Sequence, residues 1–230
     1  MPLQLQHIEF QGEYFSHYYL CNYRPKYTGT DQLSNSLIRF KQLSRIDVEA
    51  WTECALSELK KLKFKNVLTL RALGSNETSV PPSSRTALDW MGKKIAQKLE
   101  VDYCPELLSK IKATHSLKLL TKTEREMALQ NVYSFNGDDA EEVLILDDIL
   151  TTGTTMKAII QAIRMALPSC PINLFTLAST DHQALLNSDL TLTGTSYTWQ
   201  EEEWQTVAET EAFYNQLDLL KSQILNDSFE

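Results

Sequence analysis

The chain contains 230 residues, of which 43% are hydrophobic and 23% are charged, a composition typical of a globular protein with a substantial buried core. Its formal net charge of −8 resides in residues 189–230, where nine acidic residues accompany a single basic one, Lys221. The rest of the chain is formally neutral, and this distribution disfavours nucleic-acid binding, which depends on clustered Lys and Arg. No apolar run approaches the roughly 18 residues that span a bilayer, so we expect no membrane association.

The N-terminus and the cysteines both favour a cytoplasmic location. The first residues, MPLQLQHIEFQGEYF, lack a basic region followed by an apolar stretch, so we expect no secretory signal. The four cysteines are scattered and form no CxxC pair, which argues against a zinc ribbon or a disulfide scaffold. This usage is typical of a reducing compartment.

The N-terminal third predicts a hairpin followed by two helices. The aromatic stretch IEFQGEYFSHYYLCNY is interrupted at Gly12-Glu13, as expected for a β-hairpin. The segments DQLSNSLIRFKQL and DVEAWTECALSELKKL have helical patterns, and Asp47 is the expected N-cap of the second. We therefore interpret residues 1–62 as a hairpin and helical lead-in.

Residues 63–188 predict the core of an α/β protein. The short apolar segments NVLTL (66–70), EEVLIL (141–146) and PINLFTLAS (171–179) are typical of buried strands. SRTALDWMGKKIAQKL and TTMKAIIQAIRMAL predict amphipathic helices between them. This alternation predicts a mostly parallel, twisted sheet flanked by helices. Beyond residue 188 we expect an acidic C-terminal extension, 189–230, that packs on the core through one helix, ETEAFYNQLDLLKSQIL.

The segment LILDDILTTGTT, residues 144–155, carries the clearest chemical signal. Asp147 and Asp148 follow a buried strand, and ligands of open α/β sheets bind at the carboxyl ends of strands. Residues 151–155 predict a turn into a helix that begins near Thr154, and a helix N-terminus with unpaired N–H groups suits a phosphate. The two carboxylates instead need sugar hydroxyls or a metal ion such as Mg²⁺. Together these needs describe a phosphorylated sugar.

This segment resembles the phosphoribosyl-pyrophosphate (PRPP) binding motif of type I phosphoribosyltransferases. The resemblance implies that fold, and it implies that Asp147 and Asp148 hold the ribose hydroxyls and Mg²⁺, either directly or through hydroxyls or water. It also implies that the 5′-phosphate is wrapped by a loop made of Thr151, Thr152, Gly153, Thr154 and Thr155. A turn that merely caps a helix would leave the paired carboxylates unexplained.

Other phosphate or acidic sites do not match. There is no GxxxxGK[ST] sequence, which excludes a P-loop. A receiver domain places its paired aspartates after its first strand, and too few residues follow Asp148 for the rest of such a domain. A haloacid-dehalogenase-like phosphatase would need an Asp-x-Asp arrangement that is missing here.

The resemblance also implies a pyrophosphate loop after an early strand. By position this is RALGSNE, 71–77, in which Arg71 would neutralise the diphosphate. Backbone or hydroxyl donors would come from three further residues, Ala72, Gly74 and Ser75. The alternative is a surface loop whose arginine is solvated.

A mobile hood usually covers the reacting centre in this family, and KIKATHSLKLLTKTERE (110–126) is the candidate. Lys118, Lys122 and Arg125 would stabilise the leaving pyrophosphate. The alternative is a solvated basic helix, and His115 is interpreted as an ordinary surface histidine.

Two features bear on the subfamily. Purine-salvage members carry an acidic residue where this chain has Thr151, which favours the orotate, amidophosphoribosyl or ComF-like (competence-associated) branches. The layout, including residues 120–125 (LTKTER), is most similar to ComF-like proteins, although their zinc element and Gly-Phe-Asn-Gln segment are absent. An amidophosphoribosyltransferase would need a glutaminase domain for which there is no room.

The resemblance implies an enzyme that transfers a phosphoribosyl group from Mg²⁺-PRPP to a nitrogen nucleophile, a base or a small amine, and releases pyrophosphate. The alternative hypothesis is a non-catalytic sensor of PRPP or a nucleotide that regulates a partner. The sequence does not identify the acceptor, and because family members are often dimers it leaves a homodimer open.

Overall fold

In the computed structural model the described residues are 3–24, 31–64, 66–111, 129 and 131–180. They form eight strands and four helices, with two short 3₁₀ turns at Lys60–Leu62 and Pro105–Leu107. In chain order the elements are β1 (Gln4–Phe10), β2 (Glu13–Tyr23), α1 (Gln32–Lys41), α2 (Arg45–Leu59), β3 (Val67–Arg71), α3 (Ala87–Leu99), β4 (Asp102–Tyr103), β5 (Leu108–Lys110), β6 (Tyr133–Phe135), β7 (Glu142–Leu150), α4 (Thr154–Ala166) and β8 (Ile172–Thr180).

Six strands form one mixed sheet in the order β1-β2-β8-β7-β3-β4. All neighbouring pairs are parallel except β1 and β2, which form the predicted N-terminal hairpin. Its tight turn is made by Gln11 and Gly12, both at positive φ (53° and 81°), the combination that suits the twist of a two-residue hairpin. The mostly parallel sheet with flanking helices confirms the predicted fold class.

Each face of the sheet is covered by a hydrophobic core. Helices α1, α2 and α3 cover one face, where Trp51, Phe40 and Phe175 are fully buried. Helix α4 and the small β5–β6 ribbon cover the other face, where Ile159, Ile163 and the strand residues of β7 and β8 pack together. The two covered faces leave the ends of the strands as the accessible places for a ligand.

The structure differs from the sequence-based predictions in three local respects. Strand β7 continues to Leu150, beyond the predicted end, because β8 runs beside it and pairs with Asp147, Ile149 and Leu150. Helix α2 begins at Arg45 after Ser44, so Asp47 is not the N-cap but lies in the first turn. The antiparallel β5–β6 pair was not predicted, since each strand has only three residues.

Two predicted segments lie outside the described residues, namely residues 112–126 of the hood and everything after residue 180, including the C-terminal extension. The domain boundaries at residues 62 and 188 therefore stay predictions. Within the described part of the chain, no helix has both the length and the apolar character that crossing a membrane requires.

Candidate functional site: an aspartate pair beside a helix N-terminus

Asp147 and Asp148 lie near the carboxyl end of β7, as predicted. Pairing of β7 with β3 ends at Leu146, whereas pairing with β8 continues past both aspartates. Each side chain turns back on the backbone: Asp147 Oδ1 accepts from the N–H of Asp148 at 2.8 Å, and Asp148 Oδ1 accepts from the N–H of Ile149 at 2.7 Å. These bonds fix both carboxylates at the sheet edge while they stay partly exposed.

A lysine that the sequence did not single out neutralises one of the two aspartates. Lys41, the last residue of α1, places its Nζ 2.9 Å from Asp148 Oδ1. Burial opposes the charged form of Lys41, but the nearby carboxylates raise the pKa of this lysine overall. The sequence signal for this contact was a basic residue in the last turn of an amphipathic helix. Such residues are common there because they interact favourably with the helix dipole, so the signal was not specific.

Among the residues that the structure describes, no cationic side chain forms an ion pair with Asp147. Its burial raises its pKa to about 7, and the adjacent charge of Asp148 adds to the increase. The charge of Asp148 disfavours ionisation of Asp147, so a bound cation or a set of hydroxyl donors would stabilise the charged pair. The pair is therefore suited to a ligand that brings such groups.

The loop after β7 leads directly into α4. Gly153 is the N-cap at φ 71°, a left-handed conformation that favours glycine, and no side chain caps the helix. By contrast, Asp31 caps α1 and Thr86 caps α3 through side-chain hydrogen bonds. Within the part of the chain that the structure describes, no side chain accepts from the first N–H groups of α4, and these groups form an anion-binding end next to the aspartates.

The threonines of this loop divide between surface and interior. Thr151 and Thr152 are exposed, Thr155 is partly buried, and Thr154 is 7% exposed. The hydroxyls of Thr152 and Thr154 lie 3.0 Å apart, so they form one polar cluster at the start of the helix. The structure brings the five predicted loop residues together at one end of α4.

The aspartates fit a magnesium ion only when a ligand shares it. Oδ2 of each carboxylate accepts no hydrogen bond from the residues that the structure describes. Within the same residues no group of three or more His, Cys, Asp or Glu side chains forms a metal cage. Mg²⁺ commonly binds through one or two carboxylates plus substrate phosphates, and this donor set matches that pattern.

The predicted pyrophosphate loop begins beside the aspartates. Ala72 donates its N–H to the carbonyl of Leu146 at 2.8 Å, which joins the loop to the residue preceding Asp147. Gly74 and Ser75 are exposed, whereas Ala72 is buried. The loop therefore lies at the same edge of the sheet as the 147–155 segment.

Arg71 is inside the protein, with 1% of its side chain exposed. Its guanidinium forms ion pairs with Asp89 of α3 at 2.5 Å and with Glu77 of the loop at 2.8 Å. Although burial opposes charge, the hydrogen bonds that Arg71 donates to these two carboxylates raise the pKa of Arg71. The role predicted for Arg71 at a diphosphate stays a prediction, and it requires Glu77 to release the guanidinium.

Lys110 is a second residue whose place the sequence analysis did not identify. Its Nζ donates to the carbonyls of Gly74 at 2.7 Å and Leu73 at 3.3 Å, and it lies 5.3 Å from the centre of the Tyr133 ring. Burial lowers the pKa of Lys110 to about 8, although the negative charges of Glu77 and Asp147 act to raise it. Lys110 thus holds the pyrophosphate loop and places a cation near the aspartates. The other basic residues predicted for this region, Lys118, Lys122 and Arg125, lie outside the described residues.

A buried polar network supports β8 opposite Asp147. The hydroxyl of Thr176 donates to the carbonyl of Ala178, so His17 must donate to Thr176 from Nε2, at 2.7 Å. The amide of Gln6 then donates to His17 Nδ1 at 2.7 Å. These bonds assign His17 as a neutral, Nε2-protonated ring, and burial lowers its pKa to about 4. The network fixes the strand that pairs with Asp147.

A cavity of about 430 Å³ lies between the first turns of α2 and α3. Its walls include Trp90, Val48 and Asp89, and none of residues 147–155 lines it. Asp89 connects the cavity to the pyrophosphate loop through Arg71. The cavity is therefore a neighbour of the aspartate site and not part of it.

The comparison with known families agrees with this geometry. A family model described as phosphoribosyl transferase domain matches residues 91–210, slightly more than half of the chain. The match includes the aspartate pair and the loop into α4, and it supports phosphoribosyl transfer as the general reaction. No curated protein matches the sequence significantly. The chain belongs to the phosphoribosyl transferase domain family.

Proposed function

We propose that this protein binds PRPP with Mg²⁺ and transfers the phosphoribosyl group to a nitrogen nucleophile, with release of pyrophosphate. The observation that carries the proposal is the pairing, at one sheet edge, of two aspartates with a helix N-terminus that no side chain caps. One end of that arrangement suits hydroxyls and a cation, and the other suits a phosphate.

Each part of the site has a proposed role in binding. The 5′-phosphate accepts hydrogen bonds from the first N–H groups of α4 and from the threonine hydroxyls of 151–155. Asp147 and Asp148 accept hydrogen bonds from the ribose hydroxyls. Mg²⁺, held jointly by these carboxylates and the substrate, would neutralise charge on the diphosphate. The ribose is thereby fixed at two points, which orients its anomeric carbon.

The proposed reaction is a substitution at that carbon. A nitrogen lone pair forms the new C–N bond while the C–O bond to the diphosphate breaks through an oxocarbenium-like transition state. The diphosphate leaves with the bonding electrons toward the 71–77 loop, near Lys110, and the nitrogen loses its proton. Lys118, Lys122 and Arg125 are proposed to stabilise the leaving group from the hood. Most of the acceleration comes from positioning and charge stabilisation.

Lys41 adds an element that is particular to this chain. Its ion pair with Asp148 places a positive charge beside that carboxylate before the substrate arrives. A ribose hydroxyl can bind Oδ2 of Asp148 while Lys41 remains on Oδ1. We therefore propose that Lys41 prepares Asp148 for the sugar without occupying the oxygen that the sugar needs.

The narrower assignments are also proposals. A ComF-like subtype is supported by the LTTGTT sequence and by residues 120–125, and Thr151 argues against a purine acceptor. A cytoplasmic location is supported by the cysteine usage. The acceptor is proposed to be a base or a small amine, and a homodimer is consistent with the family.

The proposal is tested by an assay of pyrophosphate release from Mg²⁺-PRPP with a panel of nitrogen bases and amines. We expect acceptor-dependent release by the wild-type chain and a loss of at least about 100-fold in the variant Asp147→Asn/Asp148→Asn, because two charged hydrogen-bond acceptors disappear. Tight PRPP binding without release for any acceptor would instead favour a regulatory protein.

A further inference from the structure

The pyrophosphate loop already contains an anion. Glu77 accepts two hydrogen bonds from Arg71, one on each carboxylate oxygen, both at 2.8 Å. The same carboxylate accepts from the N–H of Gly74 at 2.6 Å. Two kinds of donor that typically bind phosphate groups, an arginine fork and a loop N–H, are thus directed at one carboxylate.

The surroundings of Glu77 make this position cationic. Arg71 approaches from β3, and Lys110 holds the carbonyl of Gly74 from β5 at 2.7 Å. Asp89 occupies the inner side of the guanidinium, so Glu77 covers the side that faces the loop. A side chain on Gly74 would place its Cβ 3.2 Å from Glu77 Oε2, so the glycine lets the carboxylate approach the backbone.

Glu77 is also the member of this cluster whose side chain can rotate into solvent. Arg71 and Asp89 are buried, with side-chain exposures of 1% and 2%, whereas 26% of the Glu77 side chain is exposed. The next residues, 78 and 79, are exposed as well. Rotation of the Glu77 side chain toward solvent would uncover the Arg71 fork and the Gly74 N–H without moving the core.

We propose that Glu77 is an internal stand-in for a diphosphate, and that a diphosphate binds the 71–77 loop by displacing the Glu77 carboxylate from Arg71 and Gly74. The inference rests on the proposed function for the source of the diphosphate, which is PRPP or the pyrophosphate it releases. Displacement delivers a buried arginine to the leaving group, and return of Glu77 after the reaction helps to expel the product. Glu77 therefore sets the affinity of the loop for diphosphate.

The expected effect follows from competition. A ligand that binds only the open loop has an apparent affinity reduced by the fraction of molecules in which Glu77 is displaced. A bidentate arginine–carboxylate pair with a further N–H donor keeps that fraction small. The variant Glu77→Gln removes the charge at constant size, and we expect it to bind inorganic pyrophosphate about tenfold more tightly than the wild type.

The experiment is isothermal titration calorimetry of the full chain with inorganic pyrophosphate and Mg²⁺. The matched control is Glu13→Gln, which also removes one negative charge and an arginine pair, with Arg164 at 2.8 Å, but at the opposite edge of the sheet. We expect the control to bind like the wild type. Equal or weaker binding by a folded Glu77→Gln variant, or the same gain in the control, would overturn the inference.

A second variant keeps the test decisive if Glu77→Gln does not fold. Glu77→Asp is shorter by one methylene and cannot reach both Arg71 and the Gly74 N–H, so we expect a smaller but measurable gain in affinity. No gain in that variant would also overturn the inference. The ligand is pyrophosphate, and Asp147 and Asp148 are unchanged. A gain in pyrophosphate affinity would therefore support the role of Glu77 even if the protein catalyses no phosphoribosyl transfer. Phosphoribosyl transfer by the wild type, without a gain in pyrophosphate affinity in the Glu77 variants, would contradict the role of Glu77 and leave the proposed function intact.

Discussion

Asp148 carries a cation partner that changes how the aspartate pair is understood. The sequence predicted two carboxylates that repel each other until a ligand arrives, whereas the structure places Lys41 Nζ 2.9 Å from Asp148. The pair is therefore asymmetric, since one carboxylate is matched by a lysine and the pKa of the other is raised to about 7 by burial. This asymmetry depends on where α1 ends in space, which no local sequence pattern encodes.

His17 gives a prediction at the residue scale. Its folded-state pKa, about 4, is below its ordinary value of 6.5, so the unfolded chain binds more protons between these pH values. Stability therefore rises with pH through this window and is lost as the pH falls from 6.5 toward 4, by about 3 kcal/mol at most from this group. Denaturant unfolding at several pH values measures this pH dependence of stability, and we expect the variant His17→Leu to lose it.

The ring nitrogens of His17 offer a sharper readout of the same prediction. Nitrogen chemical shifts should identify the Nε2–H tautomer at pH 7 and show no protonation above about pH 5. A midpoint near the ordinary value for histidine would mean that the ring is solvated, and the network with Gln6 and Thr176 would then be wrong.

The N-termini of the helices differ in their caps, and α2, like α4, begins without a side-chain cap bond. A side chain caps the N-terminus of α1 and of α3, whereas α4 begins at Gly153 without a side-chain cap. The sequence predicted the start of α4 within a residue, because Thr and Gly mark the turn and the apolar period begins there. It misplaced the start of α2, which begins after Ser44, three residues before Asp47; the Ser44 hydroxyl donates to the Asp47 carboxylate at 2.7 Å.

Gly92 gives a prediction at the scale of the elements. A Cβ at this position of α3 would lie 2.3 Å from the ring of Tyr103, whose hydroxyl donates to Asp89. Helix propensity alone predicts that Gly92→Ala stabilises the chain by about 1 kcal/mol. We expect a loss of about 1–3 kcal/mol instead, because the β4 side chain must move.

Urea unfolding measures this change in the free energy of unfolding. The control is Gln97→Ala, an exposed position of the same helix, which we expect to change stability by no more than about 0.5 kcal/mol. If Gly92→Ala were as stable as the wild type, the close packing of α3 on β4 would be contradicted.

At the scale of the whole molecule, the alternation of strands and helices was sufficient to predict a mostly parallel sheet and the edge at which the aspartates lie. It did not predict the β5–β6 ribbon, because strands of three residues have no measurable period. It also did not predict how Lys110 and Glu77 contact the 71–77 loop, since both bond to the backbone of a loop whose path only the tertiary structure defines. Side chains on one loop or helix end were predictable, and contacts between distant elements were not.

Binding of Mg²⁺-PRPP by the aspartate pair and the α4 N-terminus can be measured by isothermal titration with this ligand. The wild type is compared with Asp147→Asn/Asp148→Asn and with a matched control, Asp138→Asn/Asp139→Asn, an exposed adjacent pair that precedes β7 at the opposite edge of the sheet. We expect at least about 100-fold weaker binding in the first variant and unchanged binding in the control. Equal binding by all three proteins would show that Asp147 and Asp148 do not bind PRPP.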